Sequence, residues 1–319
     1  MSSHPAATAA PSDTLITDLL AAFDQVQGLH PGFRPVHAKG IMCSGTFTPS
    51  PEATTLTRAP HAARPSTPVL VRFSDAAGLP TIADNDPGAS PRGMAIRFVL
   101  AEHVHTDIVA HSHDGFPVRT GEEFLELLRA LAASGPQAPK PPPIASFLAT
   151  HPAAKRFVEA PKPLPTSFAR EAFFAVTAFR FSNQEGTTRH GRFRIRPEAG
   201  TDHLTARDAA AKSPNFLMEE LAQRLAGGPV RYHVRVHVAG EGDVVADATA
   251  AWPDSRPEMP FGTIALTGVV NQADPEFSRV IFDPVPRVDG IDPSNDPLIA
   301  VRSALYLLSG RRRRAASAH

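Results

Sequence analysis

Apolar residues recur along this chain with two different periods, and the switches between them mark out its elements. Over residues 14–26, Leu15, Leu19, Leu20 and Phe23 fall on one face of a 3.6-residue repeat, which predicts a helix with Asp13 as its N-cap. Four short runs follow at 38–48, 68–74, 92–100 and 106–112. Each is rich in β-branched or aromatic residues and bounded by Pro, Gly, Asp or Ser, which predicts strands. Helical spacing returns over 121–133 through Phe124, Leu125, Leu127, Leu128 and Leu131, ends at the prolines of 136–143, and resumes in short helices over 144–150 and 153–159. A second group of strands is predicted at 172–183, 192–196, 230–239 and 262–269, with a helix over 215–225 between them. Within it Val234, Val236 and Val238 alternate with Arg235 and His237, the pattern of a half-buried strand. A helix over 296–313 closes the chain. Eight strands in two groups, with helices between and around them, predict an α+β fold: an eight-stranded antiparallel β-barrel with inserted and flanking helices.

Composition narrows the functions open to such a fold. Lys plus Arg and Asp plus Glu both number 32, so the formal charge is zero, which argues against nucleic acid or a membrane surface as a partner. The single cysteine, Cys43, excludes an intrachain disulfide and a CxxC zinc site; inside a predicted strand it reads as buried packing. No run approaches the roughly 18–20 apolar residues of a membrane span, so the protein is expected to be cytoplasmic. Residues 1–13 are small and polar and are expected to form a disordered leader, followed by a single domain over 14–319.

Three segments carry candidate chemistry. The first, Arg34-Pro-Val-His-Ala-Lys-Gly40, puts an imidazole, His37, just before a strand, where it can shuttle protons near neutral pH. With 14 histidines in the chain, no single one is telling by itself. The second is Arg302-Ser-Ala-Leu-Tyr306. Positions i and i+4 share a helix face, so the guanidinium reaches the phenol oxygen and favours phenolate, a hard anionic ligand suited to ferric haem iron. The other tyrosine is Tyr232, and a core tyrosine beside a surface arginine is the plainer reading of the pair taken alone. Third, Arg72 lies among apolar neighbours in Pro68-Val-Leu-Val-Arg-Phe-Ser74, where an unpaired charge is expensive. A haem propionate would satisfy it, as would Asp75 or solvent at a strand edge.

Other clusters carry less. His103, His105, His111 and His113 are close in sequence, but on an unbroken strand the first and third lie about 26 Å apart at about 3.3 Å per residue, too far to share one metal ion. The run Arg311–Arg314 reads as a solvated helix end, and Trp252 as a loop anchor on the barrel.

Read in order, His37-Ala-Lys-Gly, Gly45-Thr-Phe, Arg72-Phe-Ser, Pro91-Arg-Gly-Met-Ala-Ile-Arg-Phe, Asp107-Ile-Val and Arg302-x-x-x-Tyr306 resemble the catalase core from about residue 33 to 313. The resemblance implies a barrel of the catalase type holding haem b. It makes His37 the distal histidine, Val36 the residue above the haem and Ser74 the hydrogen-bond partner of the distal imidazole. It makes Arg34, Arg72 and Arg313 propionate-binding arginines, Phe124 a porphyrin-packing ring, Tyr306 the axial iron ligand and Arg302 its partner. One position departs: the family's Asp-Leu-Val-Gly-Asn stands here as Asp107-Ile-Val-Ala-His111, so the distal asparagine falls on His111, or on Ser112 after a one-residue slip. With Gly115-Phe-Pro following, this resembles the smaller catalase-related peroxidases. The implied activity is reduction of hydrogen peroxide or small organic peroxides by a small organic electron donor, with weak catalase activity, in a monomer or small homo-oligomer. True catalase is one alternative. A fatty-acid hydroperoxide converter is another, although those proteins carry threonine where Val36 stands. A non-catalytic haem- or metal-binding protein is the alternative of another class.

Overall fold

Ser12, not Asp13, caps the first helix: its Oγ accepts from the Leu15 N–H at 3.2 Å, and Asp13 falls in the first turn, where its charge faces the helix N-terminus. The structure, a computed structural model, describes residues 10–271, 274, 277 and 279–316. Residues 1–9 of the expected leader lie outside these.

Helix α1 (Asp13–Gln27) leads into β1 (Gly40–Pro49), the short α2 (Ala53–Leu56) and α3 (Pro60–Ala63), then β2 (Thr67–Ser74), β3 (Gly93–Ala101) and β4 (Val104–His111). Next come α4 (Gly121–Ala132), α5 (Pro143–Thr150) and α6 (Pro152–Glu159), followed by β5 (Phe173–Phe174), β6 (Phe179–Ser182) and β7 (Thr188–Pro197). The chain continues through α7 (Ala206–Ala210), α8 (Phe216–Gly227), β8 (Val230–Val238), β9 (Glu258–Val269) and β10 (Ile291–Pro293) to α9 (Pro297–Ala316). The strand order β7-β5-β4-β3-β2-β1-β9-β8, with β8 pairing back onto β7, closes an eight-stranded antiparallel barrel; β6 and β10 extend it beside β7. Closure leaves the barrel without a free edge of its own.

The strand predicted over 172–183 is broken. Between β5 and β6, Val176 packs with Ala248 and with Leu298 of α9, and the Ala178 carbonyl accepts from the Ser294 N–H at 3.2 Å instead of from a neighbouring strand. The alternation in β8 is also incomplete: Val234 and Val236 point inward, but His237 is buried too. Trp252 covers it, held by an indole N–H bond to the Val244 carbonyl at 2.8 Å and by the Arg192 guanidinium 4.2 Å from its ring.

The barrel interior is a lattice of phenylalanines. Phe47 meets Phe98 edge to face at 5.0 Å and Phe261 at 5.6 Å, while Phe73 stacks on Phe168 at 5.2 Å. Burial of each such ring contributes about 1.5–3 kcal/mol. Tyr232 is enclosed with them, its hydroxyl donating to the Phe168 carbonyl at 2.5 Å, so it is a core residue. Outside the barrel, α1, α4 and α9 pack through Leu19, Leu20, Phe23, Leu125, Leu128, Val301 and Leu305. Gly121 permits that approach, since a β-carbon there would lie 3.0 Å from both Leu15 and Val301.

Candidate active site

The β2-β3-β4 sheet presents two rows of residues on its outer face. Register aligns Ser74 with Gly93 and Gly93 with His111; the next outward row aligns Arg72 with Ala95 and Ala95 with Val109. Their chain neighbours Phe73, Met94 and Ala110 are buried on the barrel side. The rows face Arg302, Leu305, Tyr306, Ser309 and Arg313 of α9, with Phe23 of α1 and Phe124 of α4 at the side. Between lies a cavity of about 220 Å³. Of the residues singled out in the sequence, Arg34, Val36, His37, Arg72, Ser74, His111, Phe124, Arg302, Tyr306 and Arg313 all line it.

Ser112 does not. Its N–H donates to the Arg92 carbonyl at 2.8 Å and its Oγ accepts from the Arg92 N–H at 2.9 Å. Strand parity turns it away from the cavity, which leaves His111 as the one of the two that lines it.

His37 sits at φ 58°, in the left-handed region that non-glycine residues seldom occupy. Its N–H donates to the Ala76 carbonyl at 3.0 Å, and its Nδ1 lies 3.0 Å from the Asp75 carbonyl and 3.1 Å from Ser74 Oγ. A carbonyl only accepts, so Nδ1 carries the proton and Nε2 is left with a lone pair. Burial, with the charge of Arg72 next, pushes the imidazole pKa down to about 4, so it is neutral at physiological pH.

Two residues that hold this arrangement were not among the sequence candidates, although both lie within the quoted Pro91-Arg-Gly-Met motif. A β-carbon on Gly93 would stand 2.7 Å from His37 Nδ1 and 2.6 Å from Ser74 Oγ. Arg92, 1% exposed, donates to the Asp75 carboxylate, to the Ala89 carbonyl at 3.0 Å and to the Asp84 carbonyl at 2.5 Å, fixing the turn whose Asp75 carbonyl holds His37. Because Arg92 and Lys39 engage the Asp75 carboxylate, it is not the partner of Arg72.

Arg34, Arg72 and Arg313 crowd one end of the cavity. Arg34 and Arg313 both donate to the Val280 carbonyl, at 3.0 and 3.2 Å, and Arg72 donates to the Ala38 carbonyl at 3.1 Å. Burial first, then the charge of Arg313, pushes Arg72 down to about 10; burial with Arg72 and Arg313 pushes Arg34 well below its usual range. Among the described residues, no Asp or Glu lines the cavity. Arg34 and Arg72, set in it against backbone carbonyls, call for an anion. A porphyrin matches it: its carboxylates answer the arginines, and its flat apolar face fits against Val36, Ala95, Val109 and Phe124.

On the α9 wall, Arg302 Nη2 donates to the Tyr306 hydroxyl oxygen at 3.4 Å, one helical turn away. On the sheet wall, His111 Nδ1 accepts from the His113 N–H at 3.3 Å, and its buried Nε2 has no partner. Burial and then the charge of Arg302 lower its pKa to about 3. Beyond the cavity, His103 stands exposed at the β3–β4 turn, and no group of three or more His, Cys, Asp or Glu among the described residues is placed to hold a metal ion. The Arg311–Arg314 run is partly engaged: Arg312 pairs with Asp24 at 2.5 Å, and Arg313 is buried at the cavity. No helix among the described residues is long and apolar enough to cross a membrane.

A closed antiparallel barrel that presents an arginine-rich, tyrosine-bearing cavity on its outer face defines a haem-protein class. Residues 3–319 match the catalase family, and this chain belongs to that family. It is 37% identical over 285 residues to a catalase-related peroxidase of Mycolicibacterium paratuberculosis, covering 88% of this chain and 89% of that protein. It is 32% identical to a catalase-related peroxidase of Synechococcus elongatus, covering 92% of this chain and 87% of that one. Catalase-2 of Bacillus subtilis matches at 31% over 86% of this chain but only 42% of its own length. Catalase A from Saccharomyces cerevisiae shares the fold, with a TM-score of 0.78 at 22% identity over 97% of this chain and 68% of that one.

Proposed function

We propose that this protein is a haem b-dependent peroxidase that reduces hydrogen peroxide with electrons from a small organic donor and has weak catalase activity. The carrying observation is a neutral histidine with a free Nε2 and a tyrosine bonded to arginine, lining one arginine-rich cavity from different walls. Haem, when bound, would supply a redox-active iron able to exchange the two electrons that peroxide reduction requires. Tyr306 would hold the iron through its phenolate oxygen, with Arg302 stabilising the negative charge. Arg34, Arg72 and Arg313 would hold the propionates, and Val36 and Phe124 would pack on the porphyrin. His37 Nε2 takes a proton from one peroxide oxygen and returns it to the other, so the departing oxygen leaves as water; Ser74 and the Asp75 carbonyl keep the ring oriented for both transfers.

Catalase turnover needs a second peroxide held in fixed orientation, and a misplacement of about 1 Å loses about 100-fold in rate. The larger imidazole of His111 fills the position where an asparagine amide serves that purpose in full catalases. A donor that need only reach the porphyrin edge is not affected. The test is to compare oxygen release with oxidation of a phenolic dye by haem-loaded protein. Dye oxidation clearly exceeding oxygen release is expected. Rapid oxygen evolution with weak dye oxidation would reverse the assignment.

A further inference from the structure

We propose that His111 is a fixed hydrogen-bond donor to peroxide, its proton held on Nε2, so that the cavity pairs two imidazoles in opposite tautomers: an acceptor at His37 and a donor at His111. The proposal rests on the haem–peroxide reading above and deepens it.

The two assignments come from partners that can play only one part. The Asp75 carbonyl at His37 Nδ1 can only accept, so that nitrogen carries the hydrogen and Nε2 is bare. The His113 N–H at His111 Nδ1 can only donate, so that nitrogen is bare and the hydrogen lies on Nε2. His111 Nε2 is buried and unpartnered within the cavity lining, an unmet donor in a place where buried donors are normally paired. Burial keeps the ring neutral, so it carries one N–H and no net charge. Gly93 links the two: it pairs with His111 on one side and on the other with Ser74, whose Oγ lies 3.1 Å from His37 Nδ1, and both imidazoles line the same cavity. Gly93 has no side chain, which leaves room for the His37 ring against the strand. A peroxide in the cavity would meet a base at His37 and a donor at His111.

This pairing also gives a reason for the preferred activity. In peroxide reduction the oxygen that departs as water carries lone pairs and developing negative charge, which a donor stabilises. A second peroxide acting as reductant must give up its hydrogens and needs acceptors. An asparagine amide offers both donor and acceptor; His111 offers only the donor, since the His113 N–H occupies its other nitrogen.

The tautomers are read directly by long-range ¹H–¹⁵N spectra of full-length protein labelled at histidine nitrogens, at pH 7, both free of porphyrin and loaded with diamagnetic zinc protoporphyrin. His111→Phe assigns the His111 signals. The expected result is an Nε2–H ring for His111 and an Nδ1–H ring for His37; an Nδ1–H or doubly protonated His111 would overturn the proposal. Should the Phe variant misfold, His111→Gln assigns the signals instead; a second measurement, independent of the spectral assignment, is fluoride affinity of the haem-loaded protein. His111→Phe should weaken fluoride about tenfold, and His111→Gln, which keeps a donor, should stay within about threefold of the parent. Unchanged affinity in His111→Phe, or equal loss in both variants, would sink the idea. Failure of the chain to bind either porphyrin would strike the haem reading instead and leave the porphyrin-free spectra standing.

Discussion

Gly93 and His37 compete for the same space: a β-carbon on Gly93 would stand 2.7 Å from the imidazole Nδ1, so the His37 ring keeps its place only while residue 93 has no side chain. The contact joins a strand residue to a residue 56 positions earlier that precedes the first strand. It is reinforced by the left-handed backbone of His37, which fixes the ring's direction from its own side.

Gly93→Ala should therefore displace His37 without disturbing the arginines. Haem retention is expected to stay near the parent level, while the initial rate of peroxide-driven dye oxidation falls about 100-fold, the loss typical of a misplacement near 1 Å. Spectra taken alongside the rates separate the two effects. A variant with full rate would mean that the ring has more freedom than this packing allows.

Arg302→Leu tests the α9 wall. On the proposed haem reading, removing the guanidinium that donates to the Tyr306 oxygen should lose about 10–100-fold in iron retention or activity. Tyr306→Phe should go further and abolish the high-spin, tyrosine-ligated absorption pattern. A normal spectrum in Tyr306→Phe would place the iron ligand elsewhere.

Arg72→Leu should move stability in opposite directions in the two forms. In the haem-free protein a buried cation beside Arg34 and Arg313 is replaced by an apolar side chain, which raises unfolding free energy by about 1 kcal/mol. In the loaded protein a charge-assisted bond to carboxylate is lost, and haem affinity falls about 10–100-fold. Thermal melts of both forms, with haem titrations, read the two signs independently.

His61 supplies a pH prediction away from the site. It lies 1% exposed among Phe47, Phe98 and Phe261, its Nδ1 has no partner, and burial pushes its pKa down to about 4. The unfolded chain, with an ordinary histidine pKa near 6.5, binds the proton first. Stability from this residue is thus full above about pH 6.5 and falls as pH drops toward 4, reaching a loss of about 2 kcal/mol at pH 5. His61→Leu should flatten that part of the profile, with the largest relative gain near pH 5 and little at pH 8. His37, also near 4, adds a loss of the same sign and keeps its base form in the fold well below pH 6.5. The acid limb of the rate profile is expected near pH 4–5, and a limb at 6.5 would contradict the buried setting.

The sequence by itself determined what depends on near neighbours. Period-two and period-3.6 patterns located β1–β4, β7–β9 and the longer helices with shifted ends, and the four-residue interval placed Arg302 against Tyr306 before any fold was known. Tertiary structure decided what depends on distant partners. Register across β2, β3 and β4 brought Ser74, Gly93 and His111 into one row and turned Ser112 away. Packing of Val176 on Leu298 broke the strand expected over 172–183, and closure of the barrel enclosed His61 and Tyr232. The physical reason is the range of the interactions. Backbone geometry and side-chain spacing act within a turn or a strand, whereas register, burial and the charge around a group are set by chain segments tens to hundreds of residues away.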